Sequence, residues 1–210
     1  METLALLLGG QARVKLMRLF LFNKENVYAL SQACAHAKIS EKEAKREIIL
    51  LEKTDLIKSK SIITTKQVKR GQKIVEVKKK ETGWFLNNDF IYLSQLQALL
   101  TGSKLLKDEE IMKKLGRAGK MKLVILAGVF IQDWTSRVDL FVVGDNIKKG
   151  TLDNVIRSIE AEIGKELVYS FFDTADFKYR LSMCDKLVRD VLDYPHQKIH
   201  DKLGEGVLKK

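Results

Sequence analysis

Between Lys58 and Lys80 the chain places nine lysines and arginines (Lys58, Lys60, Lys66, Lys69, Arg70, Lys73, Lys78, Lys79, Lys80) against one acid, Glu76. This run follows directly on a segment with a complete helix start, Ile39-Ser40-Glu41-Lys42-Glu43. There the Ser40 hydroxyl can accept from the first free backbone amides while the Glu43 carboxylate reaches back to the Ser40 amide, a capping box. Ala44, Ile48 and Leu51 then recur on one helical face, and Lys42, Lys45, Arg46 and Lys53 fall largely outside that stripe, available to a partner. Upstream, residues 27–36 read as a shorter helix joined to this one through Ala37-Lys38-Ile39, a helix-turn-helix pair whose corner has no glycine.

Downstream, residues 55–65 are rich in β-branched side chains and residues 72–77 alternate polar with apolar. They predict a long hairpin turning at Arg70-Gly71, its second strand running through Trp84-Phe85-Leu86 and stopping at Asn87-Asn88. Lysines on such strands can serve simply to keep an edge from pairing with another sheet. Beside a capped basic helix, the same charges form a surface suited to phosphates.

The net charge of +11 is unevenly spread: residues 1–100 hold 18 Lys/Arg and 10 Asp/Glu, net +8, against 20 and 17, net +3, in residues 101–210. The field that would attract a polyanion belongs mostly to the first half. At 210 residues and 45% hydrophobic, the chain suits one large domain or two small ones with packed cores. No apolar run comes near the roughly 20 residues of a membrane span. The opening Met1–Gly10 is apolar but lacks a basic leading region, and its helical pattern continues through Val14, Leu16, Met17, Leu19 and Phe20. It is expected to be one first helix. Cys34 and Cys184 lie one in each half, which disfavours a disulfide framework and makes a reducing cytoplasm the expected compartment.

Three stretches give the first half a family likeness: Arg13-Val14-Lys15-Leu16-Met17-Arg18-Leu19-Phe20, Leu50-Leu51-Glu52-Lys53-Thr54-Asp55-Leu56-Ile57-Lys58, and Trp84-Phe85-Leu86-Asn87. Residues from about Leu6 to Leu100 resemble the winged-helix domains of transcriptional regulators in the broad ArsR-like group. The resemblance implies that Ser40 to Lys53 lies in the major groove of double-stranded DNA with Lys42, Lys45 and Arg46 nearest the DNA. It also implies that the wing lays Lys66, Lys69, Arg70 and Lys73 against adjacent phosphates. The helix carries few Asn or Gln side chains, and it has no cysteine pair of the kind a thiolate metal sensor needs.

The second half changes character. Leucines at 93, 96, 99 and 100 predict a connecting helix over Asn88 to Gly102, and Leu105, Leu106, Ile111, Met112 and Leu115 a helix ending at Gly116. Residues 123–128 and 138–144 are short apolar runs bounded by glycine, followed by a helical pattern at Leu152, Val155, Ile156, Ile159 and Ile163, a third strand at 166–172 and a helical tail. These predict a mixed sheet packed against helices.

Residues from about Lys120 to Gly204 resemble the small nucleotidyltransferase fold of polymerase-β-like and minimal nucleotidyltransferases. In that family a Gly-Ser pair ends the first strand, Ser-Asp-x-Asp lies on the second and a further acid often follows on the third. Paired carboxylates there hold Mg²⁺ against a triphosphate, and the Gly-Ser turn lets backbone amides approach phosphate. Here the pair is Gly128-Val129, the strand reads Ser136-Arg137-Val138-Asp139, and the third position is Val168. Arg137 thus places a fixed positive charge where a cation should sit, and a domain without catalytic residues or a bound metal is expected. Asp139 would pair with Arg137 or a nearby lysine. A retained pocket would use Gly128, Ser136, Arg137 and Asp139, with Arg137 neutralising phosphate. His196 and His200, four apart, would share a face if helical, but no third ligand is evident. Trp134 is open between stacking on a base and plugging a disused pocket.

The fold class expected is α+β: an N-terminal winged helix-turn-helix (1–87), connecting helices (88–119) and a small mixed-sheet nucleotidyltransferase-like domain (120–210). The function expected is DNA-binding transcriptional regulation without a cofactor, the C-terminal half serving sensing, dimerisation or protein contact. Partners would be double-stranded DNA, a nucleotide or protein ligand, and a second copy of the chain, with no membrane. The alternative is a Mg²⁺-dependent nucleotidyltransferase acting on a nucleic acid or protein.

Overall fold

The computed structural model describes residues 3–70, 73–102 and 105–204, with the side chains of all of these except 66–70 and 73–77. The chain is a mixed α+β protein that divides into two compact units, Met1–Ser103 with Ala161–Lys165, and Lys104–Glu160 with Glu166–Lys210.

In the first unit α1 (Thr3–Leu7) and α2 (Gln11–Phe22) are separate helices rather than the single one the periodicity predicts. Gly9 and Gly10 break them apart by taking φ of 88° and 135°, values open mainly to glycine. A short strand β1 (Tyr28–Ala29) precedes α3 (Leu30–Ala37), so residues 27–29 do not join the predicted helix. Tyr28 and Ala29 pair instead with the strand that ends at Leu86, Tyr28 opposite Trp84 and Ala29 opposite Gly83. The corner to α4 (Glu41–Lys53) is turned by Lys38 in the left-handed region, the place a glycine often holds.

The Ser40 capping box forms as its sequence predicts: the Glu43 amide donates to Ser40 Oγ at 3.3 Å and the Ser40 amide to Glu43 Oε2 at 3.1 Å. Ser40→Ala is expected to destabilise the first unit by about 1 kcal/mol, measurable as a shift in the urea midpoint followed by Trp84 fluorescence.

Two strands of equal length, β2 (Ile57–Arg70) and β3 (Lys73–Leu86), form an antiparallel hairpin in unbroken register from Ile57 opposite Leu86 to Arg70 opposite Lys73. The predicted turn falls on Gly71, which with Gln72 lies outside the described residues. β1, β3 and β2 make a three-stranded sheet in that order. α5 (Leu93–Thr101) starts later than predicted, because Asn87 and Asp89 are held in a turn by the Asn87 side chain. The core gathers Val14, Leu16, Phe20, Ile48, Leu51, Leu56, Ile57, Leu86 and Leu100 from helices and sheet alike.

The second unit begins with α6 (Asp108–Leu115) and continues as β4 (Lys120–Leu126), a 3₁₀ turn (Gly128–Phe130), β5 (Leu140–Asp145), α7 (Lys149–Ile163, of which the residues from Ala161 belong to the first unit) and β6 (Tyr169–Phe172). α8 (Thr174–Ser182), α9 (Lys186–Asp193) and β7 (Gln197–Asp201) complete it. The sheet order is β6-β5-β4-β7, with β5 and β6 parallel across the α7 crossover and the other pairs antiparallel. Leu123, Ile125, Phe141 and Val143 turn one face of the sheet toward Phe177 of α8 and Val188 and Val191 of α9. β7 has no counterpart in the sequence-based expectation. It removes His196 and His200 from any shared helix face: His200 sits in a strand and contacts the Met121 carbonyl at 3.2 Å, whereas His196 contacts the Tyr194 carbonyl at 2.8 Å. No helix among the described residues is long and apolar enough to cross a membrane.

Candidate functional site

In the first unit α4 buries Ala44, Glu47, Ile48 and Leu51 and leaves Lys42, Lys45, Arg46 and Ile49 in solvent. Its C-terminal end is locked to the hairpin. Asp55 takes a φ of 62°, and Asn87 Nδ2 fixes that turn by donating to the Asp55 carbonyl at 2.8 Å. Trp84 Nε1 on β3 donates to Glu52 of α4 at 3.2 Å. Helix and hairpin are therefore held together by bonds at both the turn and the strand.

The exposed cations differ in how far they are already neutralised. Lys45 pairs with Glu41 one turn earlier at 2.7 Å, an exposed pair worth only a few tenths of a kcal/mol, about 0.3–0.5. Lys42 has no ion pair among the described residues. On the hairpin, Lys60 lies 5.0 Å from the centre of the Phe85 ring, and Lys79 meets Glu81 at 3.3 Å. Glu81 also accepts from Thr64 Oγ1 at 2.6 Å across the strands. Lys58, Lys78 and Lys80 are exposed and make no ion pair among the described residues. Lys66, Lys69, Arg70 and Lys73 contribute their backbone to the hairpin, and their side chains lie outside the described residues.

Arg46 is held by a neighbour the sequence-based expectation passed over. Its Nε and Nη2 donate to Glu47 Oε1 at 2.9 and 2.7 Å, while Glu47 Oε2 accepts from Arg13 Nε of α2 at 2.7 Å. Burial would push the Glu47 carboxyl pKa up, but the hydrogen bonds from Arg13 and Arg46 outweigh it and hold the group below the ordinary glutamate value. A depressed folded-state pKa adds stability that is complete above the unfolded value of about 4.3 and is lost as pH falls through the folded value. The first unit is accordingly expected to lose stability on acidification below about pH 5, and Glu47→Gln to flatten that part of the profile. Urea midpoints read from Trp84 between neutral and acid pH measure this. The sequence signal for Glu47 was its place three residues after Ala44, an acid inside the apolar stripe.

In the second unit, Gly128, Ser136, Arg137 and Asp139 do not form one group. Asp139 is 6% exposed and clasps the ends of two segments: Oδ1 accepts from the Val129 amide at 2.8 Å and Oδ2 from the Val168 amide at 2.9 Å. Its own amide donates to the Val168 carbonyl at 2.7 Å. The expected pairing of Asp139 with Arg137 or a lysine is therefore replaced by pairing with main chain. Gly128 is required by this clasp, since its φ is 53° and an added Cβ would overlap Asp139 Oδ1.

Arg137 turns to α9, where Nε donates to Asp190 Oδ2 at 2.7 Å. With Ser136 it lines a cavity of about 330 Å³ shared with Asp133, Thr135, Lys186, Asp190, Val191 and Tyr194. Gly128 and Asp139 are not among its lining residues. The Asp133 carboxylate is occupied in its own loop, accepting from the Thr135 hydroxyl at 2.6 Å and amide at 2.9 Å, bonds that lower its pKa. Asp145 faces Lys122 at 3.9 Å. Among the described residues no three His, Cys, Asp or Glu side chains are grouped to hold a metal ion. Trp134 stands 62% exposed, so it does not fill the cavity as a plug.

No protein-family model, curated protein or solved structure matches the chain.

Proposed function

We propose that the chain is a DNA-binding regulator of winged-helix type, in which α4 enters the major groove and the β2–β3 hairpin follows the adjacent phosphates. The observation that carries this reading is the pairing of an exposed basic face on α4 with a two-stranded hairpin bearing exposed Lys58, Lys60, Lys78, Lys79 and Lys80, the two tied together through Asn87 and Trp84. Cations so arranged meet the phosphate backbone along a groove, and binding of this kind depends steeply on salt.

The second unit is a nucleotidyltransferase-like domain without catalytic function, used for ligand sensing, dimerisation or protein contact. Support for a non-catalytic role comes from the surviving acid of the motif, whose two carboxylate oxygens are both taken by backbone amides. Further support is Arg137, which supplies a cation where the chemistry would need a metal-binding acid.

Titration of labelled duplex with the full chain across a salt series tests the first part. With about four to six phosphate contacts, log K should fall linearly against log salt with a slope of roughly −4 to −5. Salt-independent binding, or none, would exclude the reading. For the second part, labelled nucleoside triphosphates with Mg²⁺ should yield no transfer, and transfer that Asp139→Asn abolishes would restore the enzyme alternative.

A further inference from the structure

Glu47, on α4, is 1% exposed, yet the residue it grips, Arg46, has a side chain 73% exposed on the other side of the same helix turn. Behind Glu47, Arg13 is itself fixed: its Nη1 donates to the Leu8 carbonyl at 2.8 Å, and it lies against Gly9, where an added Cβ would stand 2.6 Å from that nitrogen. A continuous series, Gly9, Arg13, Glu47, Arg46, thus runs from the α1–α2 corner to the solvent face of α4.

A guanidinium has five N–H donors in one plane. Glu47 engages the Nε side, leaving the edge formed by Nη1 and the outward Nη2 hydrogen, on which no hydrogen bond occurs among the described residues. Two parallel donors on such an edge match the O6 and N7 acceptors that guanine alone presents in the major groove. A side chain already held in place loses less rotamer freedom on binding than one that must be ordered. The carboxylate behind Arg46 also reduces its value as a plain counter-charge, a role Lys42 can fill without any such backing.

The geometry points to Glu47 as the positioning residue for Arg46, presenting the Nη1–Nη2 edge of Arg46 for bidentate recognition of a guanine in double-stranded DNA. This inference rests on the proposed reading of α4 as a DNA-binding helix.

Selection of duplexes from a random pool with the full wild-type chain, followed by affinity ratios between the selected sequence and random DNA, tests it. A guanine preference is expected, and Arg46→Lys and Glu47→Gln should each reduce discrimination at that one position by about fivefold to a hundredfold. Because Glu47→Gln also removes a buried carboxylate, its fold is checked by Trp84 fluorescence. If that variant does not fold, the Arg46 Nε–H resonance of the wild type decides: a separate, slowly exchanging signal at neutral pH supports the proposal, and a signal lost to solvent exchange overturns it. Discrimination unchanged in folded Glu47→Gln while Arg46→Lys loses it would overturn the role of Glu47. A wild-type protein that binds duplex with the expected salt slope but shows no guanine preference would overturn the inference and leave the proposed function standing. Absence of duplex binding at low salt would remove both.

Discussion

Replacing Lys69, Arg70, Lys73, Lys78 and Lys80 with alanine is expected to weaken binding to every duplex alike, by about a hundredfold or more at moderate salt. All five positions lie on the β2–β3 hairpin, and of the two with described side chains, Lys78 and Lys80, neither is neutralised by an ion pair among the described residues. Each phosphate that the hairpin ceases to neutralise takes about 0.9 from the slope of log K against log salt, so losing two or three of the four to six contacts should make the slope shallower by about 2–3. Adding Lys79→Ala should weaken binding further by a smaller step, since the exposed contact of Lys79 with Glu81 at 3.3 Å offsets only part of its charge. The measurement is a fluorescence-anisotropy titration between about 50 and 200 mM salt on two unrelated duplexes. A variant with wild-type slope and affinity would show that the hairpin does not touch DNA. Weaker binding to one duplex but not the other would show that it reads sequence.

Asp139→Ala is expected to have the largest effect on stability. Removing the carboxylate leaves the Val129 and Val168 amides without acceptors. Each unsatisfied amide costs about 1–3 kcal/mol, and since the Val168 amide is less enclosed than that of Val129, the total should be about 2–4 kcal/mol. Asp139→Asn should fall between, because an amide side chain offers one acceptor oxygen and sets its own donor against the other main-chain N–H. Gly128→Ala should be comparably damaging, since it forces a side chain into a left-handed backbone and onto Asp139 Oδ1. Urea denaturation of the variants, with amide exchange followed at Val129 and Val168, separates this from a catalytic role. If Asp139→Ala lost less than about 1 kcal/mol and both amides stayed protected, the clasp would have no structural weight.

Features that short stretches of chain specify were legible before any tertiary structure. The Ser40–Glu43 box needs only four residues to satisfy one another, and it forms as written. The β2–β3 hairpin is local in the same sense, since its strands are neighbours in sequence and pair in one unbroken register. Apolar runs bounded by glycine marked β4 and β5, and the stripe from Leu152 to Ile163 marked α7, because one buried face imposes its own period.

What the sequence left open depended on partners far along the chain. β7 is a strand only because β4 offers an edge to it, and its own five residues, Gln-Lys-Ile-His-Asp, carry no strand signal. The helix expected at 27–29 yields to a strand because Gly83 and Trp84 supply a ladder there. The motif predicts Asp139 as a metal-site remnant paired with a cation; its partners are amides 10 and 29 residues away. The helical pattern places Arg46 outside the apolar stripe, but its hydrogen bonds to Glu47, which Arg13 holds from 34 residues upstream, appear only in the folded chain. Charge, periodicity and caps are properties of a segment and survive in the one-dimensional text. Which oxygen a buried carboxylate gives to which donor is fixed only when packing excludes water and brings distant segments within hydrogen-bond reach.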